Sequence, residues 1–79
     1  MSNLTARKMS GKRSLRLLGE RIRELRKERL LSQEKLAELA EIHVNHLRRI
    51  ELGQANPTYL VLLRISAALD VALPEFLTA

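Results

Sequence analysis

The fold of this chain is decided by residues 32–53, which read SQEKLAELAEIHVNHLRRIELG. Ser32 is a favourable N-cap, and the apolar residues after it recur with the 3.6-residue period of a helix about two turns long. After a break near Glu41, a second apolar period predicts another helix over 44–52, and Gly53 is suited to close it. The stretch therefore predicts two short helices that meet at a tight turn.

Helical periodicity continues on both sides of this stretch. An amphipathic first helix is predicted to end near Arg29, and a fourth helix begins after the N-cap Thr58 and ends at Asp70. Pro74 is suited to the first turn of a last short helix. The inward-facing positions are Leu18, Ile22 and Leu25 in the first helix and Tyr59, Leu62, Ile65 and Leu69 in the fourth. We predict an all-α fold of five helices.

Length and composition limit the classes of protein. The chain has 79 residues and no cysteine, so it forms one domain without disulfides or thiolate metal sites. A single core of this size supplies only a few kcal/mol, and oligomerisation would add stability. No apolar run resembles a signal peptide or a membrane span. We expect a cytoplasmic protein.

The positive charge is concentrated at the start of the chain. The net charge is +5, and residues 1–14 carry four basic residues and no acidic one. Because this segment is polar, we predict a flexible basic arm over 1–14, which could follow a polyanion by releasing its counterions. A solubilising or vector-derived tail is the alternative. The remaining residues, 15–79, are predicted to form the folded domain.

Catalytic and metal sites are not indicated. His43 and His46 have a spacing that could chelate a metal, but no third ligand is evident, and we predict neither a metal nor another cofactor. The chain lacks a phosphate-binding glycine loop and a nucleophile with an adjacent base. The acidic residues of the first helix alternate with basic ones, as on a solvated helix face. We therefore do not expect an enzyme.

Four segments together resemble the phage-repressor and Cro type of helix-turn-helix domain, the XRE-like family, which includes the small controller proteins of restriction-modification systems. They are Ser32-Gln33-Glu34-Lys35-Leu36-Ala37, Ile50-Glu51-Leu52-Gly53, Asn56-Pro57-Thr58 and Ala68-Leu69-Asp70-Val71. Leu30, Glu41 and Asp70 stand where the family usually has glycine, and Ala72 replaces its usual polar cap. We expect Glu41 to take a left-handed conformation at a cost of order 1 kcal/mol.

The resemblance makes the third helix a reader helix for the major groove of DNA. It implies base-contacting roles for His43, Val44, Asn45 and Arg49, with Arg48 able to reach bases or backbone. Their chemistry fits, because Asn pairs with adenine, Arg with guanine, and Val packs on a thymine methyl. Phosphate contacts are implied for Gln33, Asn56 and Thr58. The alternatives are a solvated helix face and, for Thr58, simple capping.

The resemblance also implies two structural features. Arg26 and Glu51 resemble an internal ion pair that ties the first helix to the reader helix, the alternative being two independent surface charges. Helix four has more apolar residues than one core face needs, and related regulators dimerise through their last two helices. The expected interface residues are Leu60, Val61, Leu63, Leu73 and Phe76, unless the core uses all of them.

The predicted function is sequence-specific binding of double-stranded DNA by a homodimeric transcriptional regulator at an inverted repeat. Protein concentration would set occupancy through the monomer-dimer equilibrium. Repression by occlusion of RNA polymerase and activation by contact with it both remain open. The competing interpretation is a protein-interaction module, such as an antitoxin-like partner, that uses the same fold.

Overall fold

The computed structural model describes residues 11–76 and contains four α-helices followed by one turn of 3-10 helix within that range. The elements are α1 (Gly11–Glu28), α2 (Gln33–Ala40), α3 (Val44–Glu51), α4 (Tyr59–Leu69) and the 3-10 turn (Leu73–Phe76). The all-α prediction is confirmed, since residues 11–76 contain no strand. The prediction of five helices was wrong. Ala72 offers no side-chain cap to the segment after it, and within the described residues this segment forms only the four-residue 3-10 turn.

The first helix begins earlier than the sequence pattern predicted. α1 begins at Gly11 and so includes residues 11–14 of the expected arm, while 1–10 lie outside the described residues. Leu15 and Leu18 are half-buried, and extending an established helix by one more turn adds a hydrogen bond per residue. The apolar period placed the start of α1 at its first apolar residue, whereas the helical backbone begins one turn earlier.

One apolar core lies between the four helices and the 3-10 turn. It consists of Ile22, Leu25, Leu36, Ala37, Ala40, Leu47, Ile50, Ile65, Leu69 and Phe76. Phe76 is only 2% exposed, so the structure places it in the core rather than on the predicted dimer face. Tyr59 was predicted to face inward but is 67% exposed, because the inward face of α4 begins one turn later.

Capping fixes where the helices begin and end. The hydroxyls of Ser32 and Thr58 accept hydrogen bonds from the first turns of α2 and α4, which confirms both N-caps. Leu30, Glu41 and Asp70 have φ of 57°, 58° and 57°. After each of them, the next N–H donates to a carbonyl five residues back, as in a Schellman motif. These residues therefore end their helices in the left-handed conformation that glycine most often supplies.

Gly19 allows α1 to approach α3 at backbone distance. A Cβ atom at this position would lie 2.3 Å from the carbonyl oxygen of Ile50 and 2.6 Å from that of Glu51. Both oxygens belong to the last turn of α3. Any side chain at residue 19 would therefore push the reader helix away from α1.

We expect Gly19→Ala to lower the free energy of unfolding by about 1–3 kcal/mol, because the methyl group has to displace backbone atoms of α3. Gly11→Ala is the matched control, since its Cβ would meet nothing within 4 Å. A helical Ala is preferred over Gly by up to about 1 kcal/mol, so the control should equal or exceed the wild type. Urea unfolding followed by circular dichroism measures both. Equal losses in the two variants would contradict the close approach.

Candidate nucleic-acid interface

The exposed side of α3 holds the residues that the sequence assigned to base contacts. Leu47 and Ile50 face the core, and the residues that the sequence assigned to base contacts form the set that we call the reader face. It consists of His43, Val44, Asn45, Arg48 and Arg49. His43 is the N-cap residue and is exposed, whereas Val44 is half-buried and packs against the core. The structure thus brings all five onto the first two turns of one short helix.

Two arginines of the reader face are held by hydrogen bonds. Arg48 donates from Nη1 to Oδ1 of Asn45 over 2.8 Å and from Nη2 to Oε2 of Glu34 over 2.9 Å. Arg49 donates from Nη2 to the backbone carbonyl of Gln54 over 3.1 Å. Each guanidinium group is therefore oriented by neighbouring groups of the protein.

The expected phosphate-contacting residues lie at the start of α2 and in the loop after α3. Gln33 is the first residue of α2 and donates from Nε2 to Oε1 of Glu51 over 3.0 Å. Asn56 is exposed in the loop after α3. Thr58 caps α4 by accepting from the N–H of Val61 over 3.2 Å. Capping thus accounts for the position of Thr58, and a phosphate contact there stays a prediction.

A buried ion pair connects α1 to the end of α3. Arg26 donates from Nε to Oε2 of Glu51 over 2.7 Å and from Nη2 to Oε1 over 3.0 Å. The two side chains are 9% and 2% exposed, and Nη1 of Arg26 donates to the carbonyl of Leu31 over 2.8 Å. Such bidentate, charge-assisted geometry is strong and directional. The pair fixes the reader helix to α1 and to the linker before α2.

The expected dimer face is only partly exposed. Leu60 and Leu63 are exposed on α4, while Val61 and Leu73 are half-buried and pack against the core. Phe76 lies inside, as described above. Tyr59, which the sequence assigned to the core, joins Leu60 and Leu63 on the surface.

The described part of the chain offers neither a cluster of metal ligands nor a membrane-spanning helix. Residues 11–76 contain no group of three His, Cys, Asp or Glu side chains that could hold a metal ion. None of the helices in this part is both long enough and apolar enough to cross a membrane.

Comparison with known proteins identifies the family of this chain. A sequence model of the helix-turn-helix family HTH_3 matches residues 22–76. The chain belongs to this XRE-like helix-turn-helix family. The control protein C.SmaI of Serratia marcescens is 34% identical over 62 residues, which cover 78% of this chain and 74% of that protein.

Solved structures of this helix-turn-helix family share the fold. The restriction-modification controller protein C.AhdI from Aeromonas hydrophila superposes with a TM-score of 0.78 at 37% identity, covering 78% of this chain and 94% of its own. An HTH_3 family transcriptional regulator from Vibrio cholerae gives a TM-score of 0.80 at 27% identity, covering 85% of this chain and 38% of its own. The family resemblance inferred from the sequence is confirmed.

Sequence reasoning missed two residues that shape the site. Glu34 was named only as part of the first helix-turn-helix segment and was given no role, although a carboxylate close to a basic helix is able to pair with one of its arginines. Gly19 was not singled out, although a glycine inside a long amphipathic helix signals a close approach. Both features are visible in the sequence, but neither shows which residue Glu34 pairs with or which helix approaches Gly19.

We expect Arg26→Met to lower the free energy of unfolding by about 3–5 kcal/mol, because Glu51 would keep a buried charge without its partner. The double variant Arg26→Met with Glu51→Met should recover much of this loss. As a control, Lys35→Met breaks the exposed Lys35–Glu38 pair and should change stability by less than about 1 kcal/mol. Chemical denaturation measures all three. Additive losses in the double variant would show that the two side chains act independently.

Proposed function

We propose that this protein regulates transcription by binding double-stranded DNA sequence-specifically as a homodimer at an inverted repeat, with α3 in the major groove. One observation carries this proposal. The side chains expected to read bases lie on α3, a helix whose buried end is held by the Arg26–Glu51 pair. An α-helix fits the major groove, where each base pair presents a distinct pattern of donors and acceptors.

Each member of the reader face has a chemical role in this proposal. Asn45 pairs with adenine through its amide, Arg49 donates two hydrogen bonds to guanine, and Val44 packs on a thymine methyl. His43 lies at the start of the helix and reaches a neighbouring base. Arg48 contacts a base or a phosphate. Together these side chains distinguish a short half-site.

Phosphate contacts then orient the reader helix on the duplex. The first N–H groups of α2 lie beside Gln33 and attract a phosphate oxygen through the partial positive charge of the helix N-terminus. Asn56 and Thr58 provide contacts from the loop on the far side of α3. Such contacts set register and affinity, whereas the reader face sets the sequence.

Dimerisation would join two half-sites. The exposed Leu60 and Leu63 are apolar surface on α4 that a second copy can cover, with Val61 and Leu73 at its edge. A two-fold pair places two reader helices about 34 Å apart, one turn of DNA, and matches an inverted repeat. Occupancy then depends on protein concentration through the dimerisation equilibrium.

The names of the relatives support a regulatory role. One is called a control protein, another a restriction-modification controller protein, and a third a transcriptional regulator. We infer a controller role of this kind for the present chain. Bound at a promoter, its dimer either excludes RNA polymerase or contacts it.

We expect selection from a random pool of duplexes at physiological salt to enrich an inverted repeat. Asn45→Ala and Arg49→Ala should each relax the preference at one half-site position by about 1–3 kcal/mol, the discrimination of one bidentate pair. Lys27→Ala on the exposed side of α1 is the control for lost charge and should retain the full preference. Sequencing of the bound fraction gives the result for all four proteins.

The same selection can reject the proposal. A pool without enrichment, bound only at the nonspecific level of about 10⁻⁴ to 10⁻⁶ M, would exclude a sequence-specific regulator. That result would favour a protein-interaction module built on the same fold.

We expect Leu60→Glu to weaken dimerisation by about tenfold or more, because a charge would be buried against the partner's apolar surface. Leu39→Glu on α2 is the matched control, since Leu39 is similarly exposed on another helix. Analytical ultracentrifugation over a concentration series measures the dissociation constant. If both variants and the wild type share one value, α4 does not form the interface.

A further inference from the structure

Three polar side chains, one on α2 and two on α3, form one connected network. The Oε2 atom of Glu34 accepts from Nη2 of Arg48 over 2.9 Å, and Nη1 of Arg48 donates to Oδ1 of Asn45 over 2.8 Å. We call this the Glu34–Arg48–Asn45 network. It connects the first turn of α2 to two residues of α3, and so crosses the helix-turn-helix turn.

Local structure explains why these three groups meet. Asn45 and Arg48 are three residues apart on α3, a spacing that puts side chains on the same helix face. Glu34 lies in the first turn of α2, where a carboxylate is favoured by the partial positive charge of the helix N-terminus. The left-handed Glu41 turns the chain between the two helices, and the packed helices bring the first turn of α2 beside Arg48.

Folding stability does not explain the network. The side chains of Arg48 and Glu34 are 43% and 66% exposed, and ion pairs at that exposure contribute little to stability. A carboxylate beside a DNA-binding surface also repels phosphate groups. An acidic residue at this position therefore weakens general DNA affinity. Neither folding stability nor affinity explains why a glutamate stands here.

The network orients the side chains of Arg48 and Asn45, and this orientation accounts for the glutamate. An unrestrained arginine samples many rotamers and loses that freedom on binding, so a side chain held in advance binds with greater selectivity. Glu34 restrains the guanidinium of Arg48, and Arg48 in turn restrains the amide of Asn45. The Oδ1 atom of Asn45 has a second lone pair for the amino group of adenine, while its amide nitrogen donates to N7.

We propose that Glu34 is a positioning residue that sets base preference by holding Arg48, and through it Asn45, against the edges of the bases. This inference rests on the proposed function and assigns part of its specificity to a residue that touches no base itself. Without Glu34, the Arg48 guanidinium would be free to move to a neighbouring phosphate. Binding would then continue with weaker discrimination.

The test measures discrimination rather than affinity. Wild type, Glu34→Ala, Arg48→Ala and the double variant are titrated with the duplex that selection enriches and with duplexes altered at single base pairs. The ratio of dissociation constants for altered and selected duplexes cancels the general effect of a lost negative charge. Glu38→Ala is the matched control, because Glu38 is an exposed α2 residue paired with Lys35.

We expect Glu34→Ala to lower the discrimination ratio at one or two half-site positions by about fivefold or more, within the range of one bidentate base contact. Glu38→Ala should leave every ratio unchanged within twofold. The double variant should discriminate no worse than Arg48→Ala alone, since groups in one network are not additive. Thermal unfolding of Glu34→Ala should shift only slightly, because the variant loses one exposed ion pair and one favourable charge at a helix N-terminus.

Three results would overturn the inference, and they differ from one another. Unchanged ratios in Glu34→Ala, with lowered ratios in Arg48→Ala, would show that Glu34 does not position the arginine. A Glu34→Ala effect that persists in the Arg48→Ala background would show that Glu34 acts by another route. If selection with the wild type enriches no sequence, the proposed function itself fails, and this inference fails with it.

Discussion

The arrangement of the helices depends on how the end of α3 is attached to α1. Arg26 uses all three of its guanidinium nitrogens, two toward Glu51 and one toward the carbonyl of Leu31. Glu51 also accepts from Gln33 at the start of α2. One carboxylate and one guanidinium therefore connect α1, α2, α3 and the linker between the first two helices. Because both groups are buried, separating them would leave a charge without its partner.

Close backbone packing acts together with this pair. Gly19 brings α1 against the last turn of α3 at a distance that no side chain permits, and the ion pair joins the same two helices. A short helix of eight residues has little stability of its own, so α3 depends on these contacts for its position. The position of α3 is set by contacts on its buried side, so the residues of the reader face do not have to hold the helix in place.

Helix ends were the most reliable part of the sequence interpretation. Ser32 and Thr58 are N-caps because their hydroxyls meet free N–H groups locally, and Glu41 and Asp70 end their helices by adopting left-handed conformations. These are interactions over a few residues, so the sequence nearby is sufficient. The predicted fifth helix, the start of α1, and the positions of Tyr59 and Phe76 were less well determined. The exposure of Tyr59 and the burial of Phe76 depend on packing between segments far apart in the chain.

The sequence by itself determined the all-α class, the four α-helices of residues 11–76 apart from the start of α1, and the helix-turn-helix family, while the base-contacting roles on α3 stay a prediction. It could do so because periodicity, capping and short motifs are local properties of the chain. Only the tertiary structure decided which of the apolar residues near the C-terminus are exposed and which polar groups meet. Glu34 and Arg48 are fourteen residues apart, and no local pattern shows that a carboxylate on one helix will orient an arginine on the next. Such pairings follow from the angle between packed helices, which the whole core sets.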